Sequence, residues 1–453
     1  MPSLHTTLRT LATIGICVVF SAGCVVHEVK QPPHHYLPME APAAPKAGTW
    51  WAIFEDPQLE ELIAKALEEN PDVRAVSLRM DQASGRYLQA RGGLFPNISG
   101  DAGFVKMWNA DKTESDSASA GLLLDWEMDI FGRIRHSLDA QDQEVKATVS
   151  DWHTARLLLT ASVAQTWFAL IEEQKQLSLA NEQIELAQTL LDLTRLRAGQ
   201  GQGSAVAVLQ QKEQLQSIQS RLPDIEERIK TLEFILDSLQ GKLPGDAEYQ
   251  AVEDWKGIQE TGATEVSTQE LWHHPKLQAA WARIVALDHR IGEAIANRLP
   301  RLTIGGSAGS EGTPELEDLV GNAFAGISGP LFDSGARKVE VAIRKYRLEE
   351  AREVFGAEFL RIVLDVKTVL VREEKLLEKL SRQEAQLQTA RDLLEESRNR
   401  YILGASDYLP VLDAVSKVHQ LERDLLTSQR QRLSARIDLH RAMGGPMPEV
   451  NLP

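Results

Sequence analysis

The feature that most constrains this chain is a long internal duplication. Pro71 and Pro96 recur as Pro275 and Pro300, each displaced by the same 204 positions. Further along, a displacement of 203 relates three more pairs, which are Arg197 and Arg400, Gly201 and Gly404, and Gly241 and Gly444. A repeat of about 200 residues is far longer than a solenoid unit. The sequence therefore predicts two copies of one structural unit with pseudo-twofold architecture.

Composition and the absence of known motifs exclude several classes of function. With 453 residues the chain is long enough for a large core, and its net charge of −16 leaves no basic stripe for nucleic acid. Charged residues make up 25% of the chain and aromatic residues only 6%, a balance typical of long helices. We find no phosphate loop, nucleophile motif or metal-ligand spacing. The sequence therefore predicts a protein that is not an enzyme and needs no metal or diffusible cofactor.

The N-terminus has the pattern of an export signal. Residues 11–20 form an apolar run too short to span a bilayer permanently, and Ser21-Ala22-Gly23-Cys24 follows. These small residues resemble a bacterial lipobox, in which the cysteine is acylated and begins the mature chain. An ordinary signal peptide is the alternative. Val25 after the cysteine resembles the outer-membrane sorting rule, so we expect a lipid on Cys24.

A Pro-rich and His-rich stretch follows Cys24 and reads as an extended tether. Its histidines, His27, His34 and His35, lack acidic or thiol partners at fixed spacing. We therefore interpret them as linker rather than as a metal site.

Two pairs of strands are predicted, at about residues 96–131 and about 300–332, each after a short helix. Between Ser117 and Ile130, small and apolar side chains alternate with polar and acidic ones, which is the period of a two-faced strand. Polar residues 111–116 separate this strand from the one before it, as in a hairpin. The fourth strand is weaker, because Phe324 has the opposite parity from Ala323 and Ala325.

Such strands suit a membrane barrel with lipid outside and water inside. A soluble half-buried sheet and a barrel made by one chain are the alternatives. Four strands cannot close around an open lumen, and lipid does not tolerate an open sheet edge. If the strands lie in a membrane, several chains must therefore share one barrel.

Two very long helices are predicted, from about 133 to 198 and from about 335 to 403. Apolar residues recur in sevens along both, at Val163, Leu170, Leu177, Ile184 and Leu191 in the first and at Leu380, Leu387, Leu394 and Tyr401 in the second. A heptad repeat predicts coiled-coil packing along the whole length, although a solvated antiparallel hairpin explains it equally well.

Each long helix ends at a glycine turn, after which a second helix of nearly forty residues returns. Ser204 and its counterpart Asp407 are predicted N-caps. Pro223 lies inside the first returning helix, where the second has Leu426. We therefore expect a bend near Pro223 in one hairpin only.

These motifs together resemble the outer membrane factor family, the TolC-like channels of tripartite efflux systems, and within it the lipid-anchored NodT-type branch. The resemblance rests on the lipobox and on four further motifs, which are Trp50-Trp51 with Asp56-Pro57, Asn70-Pro71, the Trp126–Arg133 run and the Arg400–Gly404 tip. It implies a mainly α fold with a small transmembrane β part. In a homotrimer, four strands per chain would form a twelve-stranded barrel, and the helical hairpins would form a trimeric α-barrel across the periplasm.

The same resemblance implies the site residues and partners. The tips would contact a periplasmic adaptor, and an inner-membrane transporter would complete the pump in a Gram-negative bacterium. The implied adaptor-contact residues are Gly199, Gly201, Gly203, Ser204, Gly404, Ala405, Ser406 and Asp407. Asp413 and Tyr401 match the family's periplasmic gate, whereas Pro410 stands where some members carry another acid.

The sequence therefore predicts a passive export duct. The alternative is a lipid-anchored periplasmic coiled-coil scaffold without a pore. The predicted divisions are a signal peptide at 1–23, a tether at 24–52, repeat one at 53–244, a linker at 245–266, repeat two at 267–446 and a tail at 447–453.

Overall fold

The computed structural model describes residues 27, 49–108, 114–245, 249, 270–312 and 318–445. Signal peptide, Cys24, most of the tether, part of the predicted 111–116 loop, most of the linker and the tail lie outside these ranges.

Within these described ranges, eight α-helices and four strands follow one another in two matching series. The first series is α1 (Pro57–Glu69), α2 (Pro71–Gly92), β1 (Asn97–Trp108), β2 (Glu114–Met128), α3 (Arg133–Gly199), α4 (Ala205–Gln219) and α5 (Leu222–Leu239). The second is α6 (Pro275–Ala296), β3 (Arg301–Gly312), β4 (Asp318–Ser328), α7 (Ala336–Ile402) and α8 (Leu409–Met443). Short 3-10 helices at Trp50–Phe54 and Glu270–His273 precede the first helix of each series. The predicted duplication, strand pairs and long helices are confirmed.

The chain divides into two compact units, each drawn from both repeats. The first comprises residues 1–37, 77–151 and 276–358, and the second comprises 38–76, 152–275 and 359–453. The first unit therefore contains all four strands, and the second contains the hairpin tips.

The four strands of the first unit form one antiparallel sheet in the order β1-β2-β3-β4. Leu122 on β2 pairs with Gly100 and Ala308, while its neighbour Leu123 pairs with Ser99 and Ser307. The predicted alternation thus gives one face of apolar and small residues and another that is mostly polar.

The reversed parity of β4 has a local cause. Phe324 pairs with Gly305, and a Cβ added at Gly305 would lie 2.4 Å from an atom of the Phe324 ring. The glycine therefore makes room for an aromatic ring on the mostly polar face of the sheet.

The second unit has a large apolar core, built from α1, the long helices and the 3-10 turn before α1. Its largest fully buried side chains include Trp50, Ile63 and Trp167. Asp56 caps α1 by accepting bonds from Gln58 and Leu59 N–H groups and also accepts a 2.7 Å bond from the Trp167 indole. One stretch of α3 is apolar and long enough to cross a membrane, but 56% of that stretch is buried, as in a core helix.

In both repeats, the glycine that ends the helical hairpin packs against the helix start at a proline, Pro71 in the first repeat and Pro275 in the second. Gly241 has φ +75°, and an added Cβ would lie 2.6 Å from the Glu69 carbonyl oxygen. Gly444 has φ +83°, and its Cβ would lie 2.9 Å from the His274 Cα. Only glycine fits a left-handed turn this close to another backbone, which explains why both positions recur in the duplication.

The two returning helices differ as expected. In the first hairpin the helix is interrupted between α4 and α5 at Ser220–Arg221, just before Pro223, whereas α8 continues through 35 residues. Ser204 caps α4 by accepting a bond from the Ala207 N–H, as predicted.

The prediction that Asp407 caps α8 is wrong. That helix begins at Leu409, its N-cap is Tyr408, and no side chain caps it. The buried ring of Tyr408 and its hydrogen bond to Gln211 fix the N-cap one residue beyond Asp407.

Candidate gate at the helix-hairpin tips

Both hairpin tips turn through the same backbone motif. Gly201 and Gly404 have φ of +70° and +72°. The backbone N–H of the residue after each glycine donates a 2.9 Å hydrogen bond to a carbonyl of the preceding helix. Gln202 donates to the Arg197 carbonyl, and Ala405 donates to the Arg400 carbonyl. This is the glycine-terminated helix end that satisfies otherwise free carbonyls. The equivalent glycines and arginines of the two repeats therefore have a structural role.

The predicted adaptor-contact residues form the two turns and are mostly exposed. Gly199, Gly201 and Ser204 are exposed at the first tip, and Gly404, Ala405 and Asp407 at the second, while Gly203 and Ser406 are half-buried. Exposed backbone on two neighbouring glycine-rich turns suits contact with another protein, since the surface is not used for internal packing.

Tyr401, the predicted gate tyrosine, joins the two hairpins of one chain. The Arg197 guanidinium at the end of α3 lies over its ring, 4.3 Å from the centroid. Arg197 also donates a 3.3 Å hydrogen bond to the Tyr401 carbonyl oxygen. A cation over an aromatic face contributes about 0.5–1 kcal/mol at an exposed site.

A second tyrosine extends this contact into the bundle. Tyr408 packs edge-on against Tyr401 with ring centroids 5.2 Å apart, and its hydroxyl donates to the Gln211 side chain on α4. Gln211, which is 1% exposed, donates in turn to the Ala187 carbonyl on α3 at 2.9 Å. Burial is the main reason that the pKa of Tyr408 rises to about 12, so the phenol stays neutral and available as a donor.

The set Arg197, Tyr401, Tyr408 and Gln211, which we call the tip latch, therefore connects α3, α4, α7 and α8. Sequence reasoning identified Tyr401 and the repeated Arg197 but missed Tyr408 and Gln211. A tyrosine at a helix start and a glutamine among many glutamines carry no distinguishing local signal.

Asp413, the predicted gate acid, lies on the solvent-exposed side of α8 in the single chain. It is exposed, while its neighbours Val411, Ala414 and Val415 are buried against the bundle. Among the described residues, no ion pair or hydrogen bond is recorded for its carboxylate, and none joins it to Tyr401. In a single chain the Asp413 carboxylate is therefore open to solvent.

A four-stranded antiparallel sheet with an exposed apolar face, joined to two duplicated helical hairpins with glycine tips, defines the class of TolC-like outer-membrane channels. The sequence profile of the family described as outer membrane efflux protein matches residues 62–242 and 266–445. The chain therefore belongs to the outer membrane efflux protein family, and it functions as an efflux channel of the outer membrane. The resemblance predicted from the sequence is confirmed.

Relatives and solved structures agree along nearly the full length. The chain is 26% identical to "Pyoverdine export outer membrane protein OpmQ" of Pseudomonas putida strain KT2440, over 90% of this chain and 91% of that protein. It is 25% identical to "Probable outer membrane lipoprotein SilC" of Salmonella typhimurium, with 87% of each covered. A crystal structure of CusC shares the fold with a TM-score of 0.85 and 23% identity, covering 93% of this chain and all of that one.

Proposed function

We propose that three copies of this chain close one twelve-stranded barrel in the outer membrane and continue it as a helical tube through the periplasm. The assembly would be a passive export duct. It would take its cargo from an inner-membrane transporter through a periplasmic adaptor, and the transporter would supply the energy and choose the cargo.

The observation that carries this proposal is the open sheet. Within the described part of the chain, β1 pairs only with β2 and β4 only with β3, so both outer edges offer free backbone groups. The sheet also exposes large apolar side chains, among them Leu122 at 59% and Leu319 at 84%. An apolar face belongs in lipid, but an unpaired edge does not, so the edges of neighbouring copies must pair. Three copies give twelve strands, enough for an aqueous lumen.

The hairpin tips support the adaptor contact. Their glycine turns are exposed, and the tip latch joins them within one chain. Around a threefold axis, the three Asp413 carboxylates, each exposed in the single chain, would face the duct and form an acidic ring at its mouth, and such rings favour cations. Movement of the tips past the latch would open the mouth.

A lipid on Cys24 would hold the N-terminus at the membrane. The lipobox-like sequence before Cys24 supports this, and a relative with 25% identity carries the name "Probable outer membrane lipoprotein SilC". Several acyl chains on one cysteine anchor a protein firmly.

Conductance in planar lipid bilayers tests the proposal. Purified, acylated protein should produce discrete single-channel current steps. The conductance of each step should increase when the contacts of the tip latch are broken. A well-folded protein that inserts into the bilayer without any ion current would contradict the duct and would support a periplasmic scaffold instead.

A further inference from the structure

A cluster of histidines lies in the first unit, just beyond the strands. Helix α3 begins five residues after β2 ends, and α6 ends shortly before β3 begins. His136 and Asp139 lie one turn apart on α3, and His289 lies on α6. Their nearest ligand atoms all fall within 4.8 Å of one another.

The distances suit a shared ion better than direct hydrogen bonds. The His289 Nδ1 lies 3.6 Å from an Asp139 carboxylate oxygen, and the rings of His136 and His289 have centroids 5.9 Å apart. Two ligand atoms of a tetrahedral zinc ion lie about 3.4 Å apart, given bonds of about 2.1 Å. The buried Nδ1 atoms of His136 and His289 both lack a hydrogen-bond partner in the described part of the chain. Buried polar nitrogens are usually paired, so these two need an explanation.

Gly292 makes the approach of the two helices possible. A Cβ at this helical position would lie 2.7 to 2.8 Å from three carbons of the His136 ring. The ring therefore lies directly on the backbone of α6, one turn from His289. Any larger residue would push it away.

A third histidine, His27, lies beside this cluster. His27, whose ring centroid lies 6.1 Å from that of His136, is held at 2.9 Å by the Asp288 carboxylate, so we do not assign it as a ligand.

We propose that His136, Asp139 and His289 bind one divalent transition-metal ion per chain, with water completing the coordination. Two imidazoles and a carboxylate are ligands that suit Zn²⁺ and its neighbours in the first transition row. The ion would join α3 of the first repeat to α6 of the second, beside the sheet. This inference is independent of the proposed duct. It replaces the sequence-based prediction of no metal, because ligands so far apart in the chain have no recognisable spacing.

Zinc binding to the purified full-length protein in detergent tests the proposal. His34→Ala and His35→Ala are introduced first into every sample, so that this adjacent pair in the tether does not bind zinc, while His27 is kept in all samples alike. After treatment with EDTA and dialysis, isothermal titration with ZnCl₂ should give one Zn²⁺ per chain. His136→Ala and His289→Gln should each weaken binding by more than about 100-fold, and Co²⁺ at the site should show visible absorption that both substitutions abolish.

A pair of glycine substitutions supplies the matched control. Gly292→Ala should weaken zinc binding by at least about tenfold, because it displaces the His136 ring. Gly85→Ala, also within a helix but with no atom within 4 Å of the added Cβ, should leave binding unchanged. Circular dichroism identifies any variant that fails to fold. Absence of stoichiometric binding, or binding that survives both histidine substitutions, would overturn the proposal.

Discussion

The Arg197 guanidinium lies over the ring of Tyr401, 4.3 Å from its centroid, and so connects the ends of the two long helices. The duplication places an arginine, Arg400, at the equivalent position of the second repeat. The equivalent of Tyr401 in the first repeat, however, is Ala198. The contact therefore exists in one direction only, and it distinguishes two hairpins that otherwise turn alike.

Removing Arg197 should loosen the tips. Arg197→Ala deletes the ring contact and the hydrogen bond, together worth about 1–2 kcal/mol, which corresponds to about a tenfold shift toward the open tips. Single-channel records should then show a higher open fraction. Arg195→Ala is the control, since Arg195 on the same helix pairs with no described residue except Asp192 and should not change the records. Equal effects of both substitutions would rule out the tip latch.

Asp413 should govern how cations block the mouth. Asp413→Asn preserves shape but removes three charges from the proposed ring, so block by multivalent cations should weaken about tenfold or more. Asp424→Asn on the same helix, where the carboxylate accepts a hydrogen bond from Gln420, serves as control. Unchanged block in the Asp413 variant would remove this residue from the gate.

The two faces of the sheet should differ in their tolerance of charge. Leu122 belongs to the apolar face, and Leu123 pairs with Ser99 and Ser307 on the other. Leu122→Arg should cost about 2–4 kcal/mol in lipid, whereas Leu123→Arg should point into water and be tolerated. Recovery of folded protein from the outer membrane measures the difference. Equal recovery of both variants would contradict the assignment of faces.

His419 should make the helical bundle sensitive to acid. It is 4% exposed on α8, and burial is the main cause that lowers its pKa from 6.5 to about 4. Because the folded pKa lies below the unfolded value, its stabilising contribution is complete above about pH 6.5 and is lost as pH falls toward 4. The full effect approaches about 3 kcal/mol. In the His419→Leu variant, the midpoint temperature of thermal unfolding should depend less on pH between pH 6.5 and 4. If its dependence on pH is unchanged, other groups cause the loss of stability.

Local patterns were sufficient to predict most of the fold. The alternation around Leu122 indicates a strand, and the heptad through Val163 and Leu170 indicates a packed helix. Both heptad residues are fully buried in the structure. The prolines and glycines that recur in both repeats predicted the turns, because Gly241 and Gly444 occupy positions that only glycine tolerates.

Contacts between distant segments were not predictable. The start of α8 depends on how Tyr408 packs against Gln211, a residue in the other hairpin, and so the prediction of Asp407 as cap failed. His136 and His289 come together only because two helices cross at Gly292. No periodic pattern within a single segment predicts such a contact between two helices.

Cysteine cross-linking between β1 and β4 tests most directly whether three chains share one barrel. Mature protein should carry no free thiol, since Cys17 leaves with the signal peptide and Cys24 is acylated in the proposal. We would place one cysteine at Gly103 on β1 and a second at successive positions from Val320 to Gly326 on β4, and oxidise the membranes. We predict that at least one pairing gives covalent dimers and trimers and nothing larger. Folded protein that remains monomeric at every pairing, or a ladder extending beyond three chains, would contradict the shared barrel.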